Sequence, residues 1–87
     1  MRIWYKIFKE NRMLKDVTIT VDDGSLSRTK KIFTSLDEVC ITFDLCKPIW
    51  LDNNIAEFQK SNKTRFSQDS FIEQIDFDYL EIHIIEE

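Results

Sequence analysis

Arg2-Ile3-Trp4-Tyr5-Lys6-Ile7-Phe8-Lys9, followed after a short polar break by Met13-Leu14-Lys15-Asp16-Val17-Thr18-Ile19-Thr20-Val21, is the stretch on which the fold turns. Successive side chains of a strand point to opposite faces. The first run therefore sets Ile3, Tyr5 and Ile7 on one face and Trp4, Lys6 and Phe8 on the other. In the second run Val17, Ile19 and Val21 alternate with Asp16, Thr18 and Thr20. Glu10-Asn11-Arg12 lies between them, and Asn tolerates a left-handed turn. Two β-rich runs joined by so short a link predict an N-terminal β-hairpin.

Beyond the hairpin the period changes. Asp22-Asp23-Gly24-Ser25 is a loop signal, and Ser25 or Ser27 can cap a helix starting just after it. From Arg28 to Leu45, the residues Ile32, Phe33, Leu36, Val39, Cys40 and Phe43 recur at helical spacing. They predict one long amphipathic helix. Ser35-Leu36-Asp37-Glu38 has the form of a capping box, so a helix starting at Ser35 is the alternative. Ile41 and Leu45 fall off the stripe, and Ile49 and Trp50 are the expected cover for them. Pro48 ends the helix before it.

A short helical middle segment is expected next. Asp52 is read as the cap of a helix through Lys60, with Ile55 and Phe58 inward. Ser61 to Thr64 reads as a polar link, and Ser67 as the cap of a turn over Gln68–Gln74 that buries Phe71 and Ile72. Ile75 to Ile85 reads as a C-terminal strand, with Leu80, Ile82 and Ile84 on one face and Tyr79, Glu81, His83 and Ile85 on the other. The expected fold class is α+β, with this strand joining a small, mostly antiparallel sheet. The length, 87 residues, fits a single domain over residues 1–87.

Composition narrows the classes of function. The formal charge is −4 and unevenly spread. Residues 1–31 hold eight Lys/Arg against four Asp/Glu, and residues 32–87 hold four against twelve. An acidic chain repels phosphate backbones, which disfavours nucleic acid as a partner. The opposed halves are expected to neutralise each other. No apolar run is long enough for a membrane span, and no secretory leader is read at Met1. Two cysteines fit a reducing compartment, so a cytoplasmic protein is expected.

No chemistry-bearing constellation stands out. Cys40 is read as pointing into the core, and nothing orients Cys40 or Cys46 toward His83 as a base. Asp76 and Asp78, with Asp69, could hold a divalent cation, but a solvated strand end is the favoured reading of them. No catalytic residue, cofactor or metal site is expected. Attention falls on the sheet face carrying Trp4, Phe8 and Tyr79 beside Lys6, Glu81 and His83. Three readings compete for it: cover by the middle segment, an interface with a second copy or another protein, and a stacking platform for single strands. Arg65, in Lys63-Thr64-Arg65-Phe66, is either an anion contact or half of an internal ion pair.

The runs Lys47-Pro48-Ile49-Trp50-Leu51, Glu57-Phe58, Lys63-Thr64-Arg65-Phe66, Phe71-Ile72-Glu73 and Ile75-Asp76-Phe77-Asp78-Tyr79-Leu80-Glu81-Ile82 resemble short, functionally unassigned bacterial proteins of Gram-positive anaerobes. The resemblance covers most of the chain and is tightest from Lys47 onward. It implies a bacterial cytosolic protein and brings no activity with it. The expected function is that of a small non-enzymatic interaction or regulatory protein, self-associating or binding a protein partner. Trp4, Phe8, Tyr79, Trp50, Arg65 and Phe66 are its expected interface. One alternative is an acidic inhibitor that mimics nucleic-acid charge through Asp69, Glu73, Asp76, Asp78, Glu81, Glu86 and Glu87; another is a metal-dependent enzyme.

Overall fold

The computed structural model describes residues 1–87. Its elements are β1 (Arg2–Lys9), β2 (Arg12–Thr20), α1 (Arg28–Thr42), α2 (Asp52–Ser61), β3 (Lys63–Phe66), a 3₁₀ turn (Gln68–Ser70) and β4 (Tyr79–Glu86). The fold is α+β. Four strands form one sheet in the order β2-β1-β4-β3, and every pairing is antiparallel.

The hairpin turns in two residues. Glu10 and Asn11 have φ of 53° and 63°, the left-handed conformation that a tight hairpin turn needs at both central positions. Glutamate adopts it reluctantly. A brace holds it: the Glu10 N–H donates to Asp78 Oδ2 at 2.8 Å, and the Asp78 N–H donates to the Phe8 carbonyl at 2.9 Å. Ile7 pairs with Lys15 but Phe8 with Met13, so Leu14 is an extra residue, a bulge in β2. The bulge leaves Val17 and Ile19 opposite Tyr5 and Ile3, on the core face.

Ser27 caps α1, its hydroxyl accepting from the Lys30 N–H at 3.2 Å. The alternative start at Ser35 fails because that hydroxyl is buried, 2.6 Å from Tyr5 Oη and donating to the Ile32 carbonyl. In α2, Leu51 is the N-cap, and Asp52 is the first helical residue rather than the cap. The cap is closed from inside the helix, by Asn54 Oδ1 accepting from the Leu51 N–H at 3.0 Å. Asn62 ends α2 in the left-handed conformation and turns the chain directly into β3.

The core is one cluster. Ile3, Tyr5 and Ile7 of β1, Leu80, Ile82 and Ile84 of β4, and Phe66 of β3 meet Ile32, Leu36, Val39 and Cys40 of α1 and Phe58 of α2. Phe71 and Phe77, from the connection into β4, close one end edge to face. Both helices therefore lie on the same side of the sheet.

Several expectations are corrected here. Ser61–Thr64 is no polar link; it runs into β3, whose Thr64 and Phe66 are buried. Ile41 is 82% exposed, so Ile49 and Trp50 do not cover it, although Leu45 packs on the core. Ile55 and Ile72, expected inside, are exposed, as is Phe33 at the rim of the helix stripe. The last strand starts at Tyr79, not Ile75.

Candidate functional site: the uncovered face of the sheet

With both helices on one side, the even-numbered residues of β1 and the odd-numbered residues of β4 form an uncovered face. The strand registers arrange it in rows. Thr18, Trp4, His83 and Lys63 lie side by side across β2-β1-β4-β3. Asp16, Lys6, Glu81 and Arg65 form the next row, and Met13, Phe8 and Tyr79 the third. The alternation in the sequence dictates this layout, because residues two apart on a strand share a face.

The middle row alternates in charge: minus, plus, minus, plus. Lys6 Nζ sits 2.7 Å from Glu81 Oε2, and Arg65 Nε sits 3.1 Å from Glu81 Oε1. Lys6 and Glu81 are buried, at 9% and 5% exposure, although no helix covers them. Trp4 lies against Lys6, and the two cations flank Glu81. The Lys6 ammonium lies 3.8 Å from the centre of the Trp4 ring, and the Arg65 guanidinium lies 4.5 Å from that of Tyr79. Each cation thus faces a carboxylate and a ring, the arrangement that best offsets a partly desolvated charge. Phe8 stacks on Tyr79 with 5.2 Å between ring centres. The Trp4 indole donates to Asp16 Oδ2 at 2.8 Å.

Burial alone would raise the Glu81 carboxyl, but hydrogen bonds from Lys6 and Arg65 outweigh it and hold the group below the usual carboxylate range. Burial, with the charges of Lys6 and Lys63, pushes His83 below its ordinary value, while Glu81 pulls weakly the other way. His83 Nδ1 is buried and has no hydrogen-bond partner. The unfolded chain therefore takes up this proton more readily than the folded one. The stability that neutral His83 supports is complete above its unfolded value near 6.5 and falls as pH drops through that value toward the lower folded one. His83→Gln should flatten the fall in urea midpoint between about pH 7 and pH 5, a window above the carboxylate titrations.

The six expected interface residues separate into three places. Trp4, Phe8, Tyr79 and Arg65 share the uncovered face, each of the three aromatics half-buried. Phe66 is wholly buried on the opposite side of the sheet and is a core residue, because its alternation in β3 pairs it with Leu80. Trp50 lies in the helical layer, edge-on to Phe33, Phe58 and Phe66. There it lines a groove of about 210 Å³ between α1 and α2, with its indole N–H unpartnered. Of the three readings of the aromatic face, cover by the middle segment fails: α2 and β3 bury Phe58 and Phe66 into the common core instead.

The remaining candidates for chemistry scatter. Cys40 lies in the core and His83 on the far face of the sheet, so they cannot act together. Burial pushes the Cys40 thiol up to about 11, and a hydrogen bond with Glu73 raises that of Cys46, so neither is an activated thiolate. No three His, Cys, Asp or Glu side chains converge as metal ligands, and the Asp69, Asp76, Asp78 trio does not assemble. The acidic C-terminal half meets the basic N-terminal half directly: Arg2 pairs with Glu86 at 3.5 Å, Lys6 with Glu81, and Arg28 with Glu87 at 2.8 Å. Three of the seven carboxylates on which charge mimicry depends are thus neutralised on the chain.

A residue that sequence reading misses is Asn54. It is 1% exposed and joins four groups. It accepts from the Leu51 N–H and the Ser70 hydroxyl, and it donates to Thr64 Oγ1 at 3.0 Å and the Arg65 carbonyl at 2.9 Å. Thr64 in turn donates to Glu57 at 2.6 Å. This knot fixes β3 to α2, while the pairing of β3 with β4 places Arg65 beside Glu81. Its one sequence signal is an amide three residues after a helix cap.

No protein-family model, no curated protein and no solved structure matches this chain. No helix is long and apolar enough to cross a membrane.

Proposed function

We propose that the chain is a small, non-enzymatic interaction protein that engages a protein partner through the uncovered face of its sheet. The observation that carries this reading is the asymmetry of the fold. Both helices pack on one side, and the other side presents Trp4, Phe8 and Tyr79 around a Lys6–Glu81–Arg65 group whose charges are already paired. Aromatic side chains held rigid by neighbours, with little unpaired charge among them, are the composition of protein interface cores. A nucleic-acid platform needs cations free to meet phosphates. Of the three cations in these rows, Lys6 and Arg65 are instead committed to Glu81, and Lys63 at the edge is the one without an ion pair. A bacterial, cytoplasmic setting belongs to the proposal and rests on the resemblance of the Lys47–Ile82 runs.

The test uses Trp4 as a reporter, with Trp50→Phe removing the second indole. Quenching or shift of its emission by a protein partner, lost in Tyr79→Ala, supports the reading. Equal quenching by a single-stranded oligonucleotide at about 150 mM salt, a condition that screens non-specific phosphate contacts, contradicts it.

A further inference from the structure

We infer that the occupant of this face is a second copy of the same chain, stacked face to face with the two-fold axis running along the strands. The inference rests on the interaction reading and adds the identity and orientation of the partner.

The argument is one of charge order. Two sheets packed face to face keep their strand directions within about 30° of each other. A two-fold axis lying between them must therefore run nearly along the strands or nearly across them. If it ran across and through the charged row, each strand would map onto its own copy, with Asp16 over Asp16, Lys6 over Lys6, and Glu81 over Glu81. If it runs along the strands, the order of strands reverses. Asp16 then meets Arg65 of the second copy and Lys6 meets Glu81, while Phe8 meets Tyr79. The alternating row on β2-β1-β4-β3 is self-complementary in this orientation alone. It also corrects an imbalance within one chain. Glu81 has two cations, whereas the Asp16 carboxylate is held by the Trp4 indole and no cation. Arg65 of the second copy supplies one.

Desolvation opposes the stacking at the ends of the row and not at its centre. Lys6 and Glu81 are already out of water, whereas Asp16 and Arg65 are exposed and give up hydration when they meet across the interface, which keeps the gain from each such pair small. The size of the face sets the strength. Four strands about 4.8 Å apart and about 20 Å long offer roughly 400 Å² of projected area per copy, about 800 Å² in all, the range of weak, transient contacts and not of stable specific interfaces. A dissociation constant of about 10–100 μM is expected, well short of an obligate dimer.

Sedimentation velocity of the intact chain between about 10 μM and 1 mM tests this. The wild type should move reversibly from monomer to dimer. Asp16→Arg should weaken association about tenfold, since it sets like charges together at two symmetry-related places. The double variant Asp16→Arg, Arg65→Asp should restore it. Asp16→Asn, which keeps an acceptor for the Trp4 indole, should act in the same direction by less, and covers the case in which a charge reversal disturbs the fold. A dimer that ignores all the charge changes but is abolished by Trp4→Ala overturns the orientation and leaves the binding face standing. A wild type that stays monomeric throughout overturns the second copy as partner. The Trp4 emission test then decides the interaction reading by itself.

Discussion

Asn54→Asp is expected to cost about 3–5 kcal/mol, comparable with the whole stability of a chain this size. The two side chains have nearly the same shape, so packing does not change. The difference lies in donor capacity. The amide donates to Thr64 Oγ1 and to the Arg65 carbonyl. A carboxylate donates to neither and sets a buried charge against a carbonyl dipole. Nothing cationic is in hydrogen-bond contact with Asn54 to compensate. The damage falls first on β3, which has only four residues and owes its place to this knot and to β4. The introduced carboxyl has its proton affinity raised by burial, so the loss should shrink in acid, where the protonated group regains one donor. Urea unfolding at pH 7 and at about pH 5 measures both effects. A midpoint at pH 7 close to that of the wild type contradicts the role assigned to Asn54.

The second large effect is expected at Glu81. Removing it by Glu81→Ala strands Lys6, 9% exposed, under the Trp4 ring with no anion, and leaves Arg65 with Tyr79 alone. Breaking a buried pair from one side costs about 3 kcal/mol. Because both bonded cations hold the Glu81 carboxyl below its unfolded value, its contribution is present above that value, near 4.5, and is lost as pH falls through the folded one. The wild type should therefore lose stability on the acid side more steeply than Glu81→Ala does. The variant Lys6→Met, Glu81→Leu, which removes both charges together, should recover most of the loss in urea. Recovery of stability without recovery of association would assign the ion row to specificity. If Glu81→Ala alone costs under about 0.5 kcal/mol, the row is a surface decoration.

The strands and their faces are legible in the sequence because alternation is a local property. Ile3, Tyr5 and Ile7 separate from Trp4, Lys6 and Phe8 by spacing alone, and Leu80, Ile82 and Ile84 separate from Tyr79, Glu81 and His83 in the same way. Helix α1 is legible for the same reason. Strand β3 is not. Four residues with two cations carry no periodicity that distinguishes strand from link, and their pairing partner lies beyond a 3₁₀ turn and a long irregular connection. Phe66 goes astray with it, since its burial is settled only once β3 is paired with β4. Ile41, Ile55 and Ile72 show the converse. Being apolar says that a residue can be buried, not that another element arrives to cover it. The link between α2 and β3 runs through the Asn54 knot, and a lone asparagine in a polar run gives little warning of that.

The uncovered face is the surface through which this chain is held to act. The most direct measurement tracks backbone amide signals by ¹H–¹⁵N NMR as the concentration rises from about 10 μM to 1 mM, the range in which so small an interface fills. Shifts and broadening should gather on Trp4, Lys6, Phe8, Tyr79, Glu81 and Arg65, while Phe33, Ile55 and Trp50 in the helical groove stay fixed. Changes centred on that groove, with the sheet residues still, would contradict the account.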